Sequence, residues 1–239
     1  MNIILFSPQE VQLPLPRGDA RARHILGILR RQPGDTFDAG LFNGPRGKGT
    51  LVAVHPEALE LSFAWGETPS VLAPIRLLVG LPRPQTARDI LRDGATLGVA
   101  CIDFVRTDRG EPGYAQSTLW SSREWETLLA AGAAQAFCTR LPEVRHSQNL
   151  AAALAELPAG GIRIALDNYE SARALGAVDL PSGASIVLAL GAERGWSPGE
   201  RSRLLDQGFS FAHLGPRVLR TETACVAAVA VIKAKLGLL

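Results

Sequence analysis

The 239-residue chain is poor in cysteine and almost devoid of lysine, and it has no long apolar run. Its three cysteines, Cys101, Cys138 and Cys225, are odd in number, far apart and form no C-x-x-C pair. That argues against a disulfide framework or a zinc knuckle and suits a reducing, cytoplasmic setting. The late apolar run at residues 224–232 is broken by Lys233 and Lys235. About 18 apolar residues are needed to span a bilayer, so no membrane segment is expected. The opening MNIILFSPQE has no basic lead and is too short to read as a signal peptide. There is no G-x-G-x-x-G after a strand, no G-x-x-x-x-G-K-[ST] and no G-x-S-x-G, so dinucleotide, P-loop and nucleophile-elbow chemistry lack support. The four histidines, His24, His55, His146 and His213, show no paired metal spacing, and no metal is expected.

The composition is that of an ordinary globular protein, 46% hydrophobic and 20% charged with a formal net charge of +2. Local charge is more informative than the net. Between residues 17 and 31 the chain carries Arg17, Arg21, Arg23, Arg30 and Arg31 against Asp19 alone. Arginine's planar fork suits phosphate, while cations at a helix end also suit the helix dipole. Residues 1–70 read as mostly β, with strands at 3–6 and across 34–66 and one helix near His24 that places Ile25, Leu26 and Leu29 on a common face. The clearest turn is FNGPRGKG at residues 42–49, which carries Arg46 and Lys48. A basic G-x-x-G loop can clamp a nucleic-acid backbone; a plain hairpin tip is the simpler reading. These features predict a small β-barrel, and the Pro-containing TPSVLAP at residues 68–74 marks the boundary to a second domain, 74–239.

From Ile75 the pattern turns α/β. Apolar strands are expected in IRLLVGL, CIDFVRT, IRIALD, ASIVLALG and FSFAHLG. Helices are expected in TARDILRDGATLG, SREWETLLAAGAAQAF, HSQNLAAALAEL, SPGERSRLLDQG and TETACVAAVAVIKAKLG. In the fourth of these helices Ser197 is the N-cap, Pro198 the first helical residue, Glu200 the other half of a capping box and Gly208 the stop. Alternating strand and helix predict a parallel sheet covered on both faces, whose ligands bind at the carboxyl ends of the strands. Two loops at such ends, LGAERGWS and LGPRVLRTET, both begin Leu-Gly and both lead into a helix, where unpaired N–H groups can hold polar ligand atoms. Trp196 in the first loop could stack on a base; packing is the simpler reading.

The string LGPRVLRTETA at residues 214–224 closely resembles the C-terminal signature of the ribosomal RNA small subunit methyltransferase E family, members of the SPOUT superfamily. GAERGWSPGE resembles that family's Gly-Pro-Glu-Gly-Gly loop and Ser-x-x-Glu, matching at Gly191, Glu193, Gly195, Ser197 and Glu200 and departing at Ala192 and Arg194. HILGILR, GDTFDAGLFNG and TLGV are similar to segments in the same order, the last with Thr96 where the family has Glu. The resemblance implies an N-terminal PUA-like β-barrel that helps bind RNA and a C-terminal α/β domain with a trefoil knot. It implies a homodimer that binds S-adenosylmethionine and methylates N3 of a uridine in 16S ribosomal RNA of the small subunit. The alternative is an RNA-binding homologue with altered substrate or lost catalysis.

Carried onto this sequence, the resemblance makes Arg220 and Glu222 the catalytic candidates, one to steady charge on the uracil and the other to orient it or take the proton. Leu166, Leu190, Gly191, Gly195, Leu214, Gly215, Leu219, Thr221 and Thr223 would hold the cofactor. Arg23, Arg30, Arg31, Arg46 and Lys48 would meet RNA.

Overall fold

In the first unit the strands are β1 (Ile4–Phe6), β2 (Leu15–Pro16), β3 (Thr36–Leu41), β4 (Arg46–Val54) and β5 (Ala58–Trp65). They form one mixed sheet in the order β1-β3-β4-β5-β2, with β1 parallel to β3 and the other pairs antiparallel. The computed structural model describes residues 3–239. This unit comprises the chain up to Val71 together with Ala133–Leu141. Phe6, Leu15, Phe37, Ala39, Leu51 and Leu59 supply its core. A short helix, α1 (Ala20–Arg23), starts where the Asp19 side chain accepts the Arg21 N–H, and it widens into a π turn over His24–Ile28. Ile25 is fully buried there, and Leu26 and Leu29 pack on the same core, so the three share a face as expected.

The glycine-rich turn after β3 is a hairpin tip whose polar groups are used within the unit. Asn43, at φ 56°, donates its N–H to the Thr139 carbonyl, and its side-chain oxygen accepts from the Leu141 N–H. Gly47 and Gly49 lie in β4 because a side chain would not fit: a Cβ on Gly47 would stand 2.0 Å from the Ala64 carbonyl oxygen.

The second unit, Leu72–Gly132 with Pro142–Leu239, contains six parallel strands. These are β6 (Ala73–Gly80), β7 (Val99–Arg106), β8 (Glu143–Asn149), β9 (Ile162–Leu166), β10 (Ile186–Leu190) and β11 (Ser210–Ala212), in the order β11-β9-β10-β6-β7-β8. The helices are α2 (Pro84–Leu97), α3 (Thr118–Ser121), α4 (Glu124–Gln135), α5 (Leu150–Ala155), α6 (Pro198–Asp206) and α7 (Thr221–Lys235). The last residues of α4 pass into the first unit. One face of the sheet, through Leu78, Val105, Ala165, Val187 and Ala189, packs on Trp196, Leu204 of α6 and Leu150 and Leu154 of α5. On the other side α2 packs against α7.

The expected helix over HSQNLAAALAEL is corrected. Only Leu150–Ala155 is helical; the preceding EVRHSQN is the edge strand β8. Its residues are polar and do not alternate, so pairing with β7, not pattern, makes it a strand. Ser147, at φ 77°, shifts the register, and the Asn149 side chain accepts the Ala152 N–H to start the helix.

In the first unit Arg21 donates to Glu10 at 2.6 Å and to Asp19 at 2.8 Å. The Arg21 hydrogen bond outweighs partial burial and, with the Ser7 N–H, holds the Glu10 carboxyl at about 2, below its ordinary 4.5. Because the folded value is depressed, the stabilisation is complete above 4.5 and disappears as the pH falls toward 2. Thermal melting followed across that window should fall less steeply for Glu10→Gln than for the unaltered chain. An unchanged slope would show that Glu10 is not among the groups responsible.

Candidate functional site

All six strands of the second sheet run the same way, so all their carboxyl ends lie along one edge. Chain order reverses between β6 and β10: the chain first builds outward through β7 and β8, then returns to lay β9, β10 and β11 on the other side. Ligands of open parallel sheets bind at such a switch point. Here a cavity of about 840 Å³ opens at that edge, within the size range of sites that hold a cofactor-sized ligand.

Its walls are the loops that leave the strand ends. Leu166 and Leu190 are the last residues of β9 and β10 and are paired in register. Leu214 follows β11. The loop after β6 adds Arg83 and Thr86, and the loop after β7 adds Arg109, Glu111 and Tyr114. The two Leu-Gly loops therefore stand around one cavity, as expected. Of the residues assigned from sequence, Leu166, Leu190, Gly191, Gly195, Leu214, Leu219, Arg220, Thr221 and Glu222 line it; Gly215 and Thr223 do not.

Gly191 is required by its own loop. A Cβ there would lie 2.8 Å from the Gly195 Cα and 3.1 Å from the Trp196 nitrogen. Gly195, at φ 64°, closes the turn by donating its N–H to the Ala192 carbonyl. Gly80 at the end of β6 is equally constrained, since its Cβ would meet the Ala192 nitrogen at 2.5 Å. Beneath the turn Trp196 is fully buried in the core, as a packing residue should be. The capping box of α6 is present, and it reaches further than its own helix. Glu200 accepts the N–H of Ser197 at 2.8 Å and of Asp108 at 2.8 Å, and the Ser197 hydroxyl donates to Asp108 at 2.6 Å. Glu193 accepts the Arg83 N–H at 2.9 Å, at the start of α2. Arg194 is exposed and lines the cavity, which remains open at about 840 Å³, and its carbonyl accepts from Arg109.

Gly215 acts on the loop from outside the cavity. At φ 100° it donates its N–H to Nδ1 of His213 at 3.0 Å, which requires that nitrogen to be unprotonated. Arg220 is the N-cap residue of α7, exposed, with no capping side chain and no ion pair among the described residues. Glu222, in the first turn, likewise forms no pair with it. Arginine is a poor cap and places a cation at the positive end of a helix. A residue that stabilises neither its helix nor a neighbour, and faces a cavity, is held there by something other than folding.

Asp167, which the resemblance placed beside Leu166 near the cofactor, also lines the cavity, but its partners had no sequence signal. Asp167 is buried, accepts the N–H groups of Tyr169 and Glu170 and receives the Arg201 guanidinium at 2.7 Å. Tyr169, Arg217 and Val218 stand at the cavity mouth. A contact such as Asp167 with Arg201 joins residues 34 apart and has no periodicity to betray it. The loop RTDRGEPGY after β7 supplies a wall of the cavity that was not assigned from sequence. Of the basic residues assigned to RNA, Arg23, Arg30 and Arg31 are exposed. Arg46 donates to the Phe137 carbonyl and lies over the Phe137 ring, and Lys48 pairs with Asp38.

Residues 69–233 match the family of RNA methyltransferase domains. The ribosomal RNA small subunit methyltransferase E of Treponema pallidum is 34% identical over 243 residues, covering 98% of this chain and 91% of that protein. The chain belongs to the ribosomal RNA small subunit methyltransferase E family. The family's E 1 protein of Borreliella burgdorferi is 28% identical and covers 99% of both chains. Among solved structures, that of a ribosomal RNA small subunit methyltransferase E from Neisseria gonorrhoeae bound to S-adenosyl methionine superposes with a TM-score of 0.80 at 23% identity over 97% of both chains. Among the described residues no helix is long and apolar enough to cross a membrane, and no three His, Cys, Asp or Glu side chains gather as a metal centre needs.

Burial opposes ionisation of Asp167, but the Arg201 hydrogen bond and the two N–H donors outweigh it and hold the carboxyl below its ordinary 3.8. Removing one partner of a buried pair strands the other charge. Arg201→Met should therefore lower the unfolding free energy by about 3 kcal/mol at neutral pH in urea titrations. The deficit should shrink as the pH falls below 3.8 toward the depressed folded value, where the unaltered chain also loses the pair. A loss that does not vary with pH would point to packing.

Proposed function

We propose that this chain is an S-adenosylmethionine-dependent methyltransferase that modifies N3 of a uridine in 16S ribosomal RNA of the small subunit. The observation that carries this reading is the placement of the two Leu-Gly loops and the RTET segment around one cavity at the carboxyl edge of a parallel sheet, in a chain of this family. The residues present suit the cofactor. Leu166, Leu190, Leu214 and Leu219 offer apolar contact to an adenine ring. Gly191, where no side chain fits, presents bare backbone to the cavity, and the uncapped start of α7 offers N–H donors. When bound, the sulfonium supplies an electrophilic methyl group.

The chain's own groups then have two tasks. The uracil N3–H is a poor nucleophile until its proton leaves, and the resulting charge is shared with the ring carbonyl oxygens. Arg220, whose side chain has no partner among the described residues, donates to such an oxygen and steadies that charge. Glu222, in the first turn of the same helix and not engaged by Arg220, takes the proton. The loops hold the reactants in line, which supplies much of the acceleration.

The wider assignment follows the same reading. The path of the chain from β11 at the sheet edge back across β9 and β10 to pack α7 on α2 supports a trefoil knot. The five-stranded sheet of residues 4–65 supports a PUA-like barrel, with the exposed Arg23, Arg30 and Arg31 taking RNA phosphates. Between residues 224 and 232 helix α7 is apolar around its circumference, with Val226, Ala227, Ala230 and Val231 only partly covered, which supports a homodimer.

Transfer of labelled methyl from S-adenosylmethionine to small-subunit ribosomal RNA, followed by nucleoside mass spectrometry, should yield 3-methyluridine. No label, or label in another nucleoside, would overturn the assignment. Arg220→Ala should abolish transfer while cofactor binding, read by calorimetry, survives. Arg220→Ser should do the same and raise the unfolding free energy by about 1 kcal/mol, because serine caps α7 where arginine does not. Activity close to that of the unaltered chain would remove Arg220 from the mechanism.

A further inference from the structure

Tyrosine is scarce here. The chain has two, and both, Tyr114 and Tyr169, line the same cavity. Tyr114 is half-buried on a loop fixed by the Trp120 indole, which donates to its carbonyl. Tyr169 is different: it is 83% exposed at the mouth. Its position is nonetheless set from below, because its backbone N–H is held by the buried Asp167 carboxylate, itself anchored by Arg201. Val218, 80% exposed, lines the same cavity from the loop after β11. β9 and β11 are paired neighbours, with Leu166 opposite Ala212, so the loops bearing Tyr169 and Val218 leave adjacent strand ends. Two large apolar side chains thus stand in water at one rim, while the leucines at the strand ends lie deeper.

The charge around them narrows what they meet. Arg83, Arg109, Arg194, Arg217 and Arg220 line this cavity. Two of the carboxylates beside them are already engaged, Asp167 by Arg201 and Glu193 by the Arg83 N–H. An apolar rim set in cationic surroundings fits a ligand with flat apolar faces on an anionic backbone. A nucleobase drawn out of an RNA strand is such a ligand, and chemistry on a base requires that it leave its stack. We propose that Tyr169 and Val218 form a slot that grips the faces of the base presented for methylation, with Arg217 holding the adjacent phosphate. The proposal rests on the methyltransferase reading of this cavity and assigns its rim to RNA and its floor to cofactor.

Two measurements on the full chain test it. Small-subunit ribosomal RNA carrying 5-iodouridine, irradiated with the protein, should crosslink to the peptide containing Tyr169. Tyr169→Ala should raise the KM for RNA about tenfold, the order of one lost base–aromatic stack, with kcat and S-adenosylmethionine affinity unchanged. Tyr169→Phe, which keeps the ring, should restore the KM. The side chain is exposed, so the variants should fold. An unchanged KM in Tyr169→Ala, or weakened cofactor binding in place of weakened RNA binding, overturns the slot. Failure of the unaltered protein to bind S-adenosylmethionine would overturn the methyltransferase reading instead. The crosslink needs no cofactor, and its absence at Tyr169 would overturn the slot on its own.

Discussion

The Glu200 carboxylate is fully buried and accepts N–H groups from two loops that meet only in the folded chain. One is its own helix start at Ser197; the other is Asp108, 92 residues earlier, in the loop after β7. The Ser197 hydroxyl closes the circuit onto the Asp108 side chain. A buried charge must be matched by donors or it destabilises the fold. Satisfying Glu200 therefore fixes the spacing between the Gly191–Gly195 turn and the loop that carries Arg109 and Tyr114. These are two walls of one cavity. A feature that looks like a helix cap is at the same time the brace of the site.

The sheet sets the other constraint. Parallel strands send every loop to one edge, and reversal of chain order between β6 and β10 leaves room there. Close packing at that edge is achieved with glycine: Gly80 and Gly191 lie where no Cβ fits. Structure is then spent in the opposite sense at the rim. Arg220 caps a helix badly, and Tyr169 keeps its ring in water. Folding does not ask for either residue. Their cost is compatible with a scaffold whose rigidity comes from buried pairs such as Asp167 with Arg201.

What could be read from residues alone follows from the range of the interactions involved. Ser197, Pro198 and Glu200 act within one turn of helix, and that start was legible; so were the long apolar strands, whose burial shows in composition. The shared signature at residues 214–224 located the cavity before any geometry did. β8 was misread because EVRHSQN draws its strand character from β7, and no local pattern records that. Trp196 was read correctly as packing, since a large apolar ring next to a strand end usually goes inward. Tyr169 was invisible, and Val218, though inside the signature, was assigned no role, because their exposure depends on Asp167, Arg201 and strand pairing, all contacts between distant positions. Gly215 and Thr223 belong to the right segment, yet they point elsewhere in a loop whose course is set by His213 and the cap of α7.

The net charge of +2 gave little reason to expect a polyanionic substrate. Binding depends on the field at the site, not on the sum over the surface. Two of the carboxylates that line the cavity, Asp167 and Glu193, are drawn to Arg201 and to backbone N–H groups, where they brace loops and their charge is compensated locally. The arginines at the mouth have fewer such partners: Arg217 and Arg220 form no ion pair among the described residues. Internal pairing of the acids thus exposes an excess of cation at the rim without making the protein basic. The same arrangement separates two ligands of different character. In the proposed reading the guanidinium groups at the entrance would meet phosphates, and the leucines and backbone below would meet the cofactor. Placing the cations outside and the apolar surface inside lets one cavity take both.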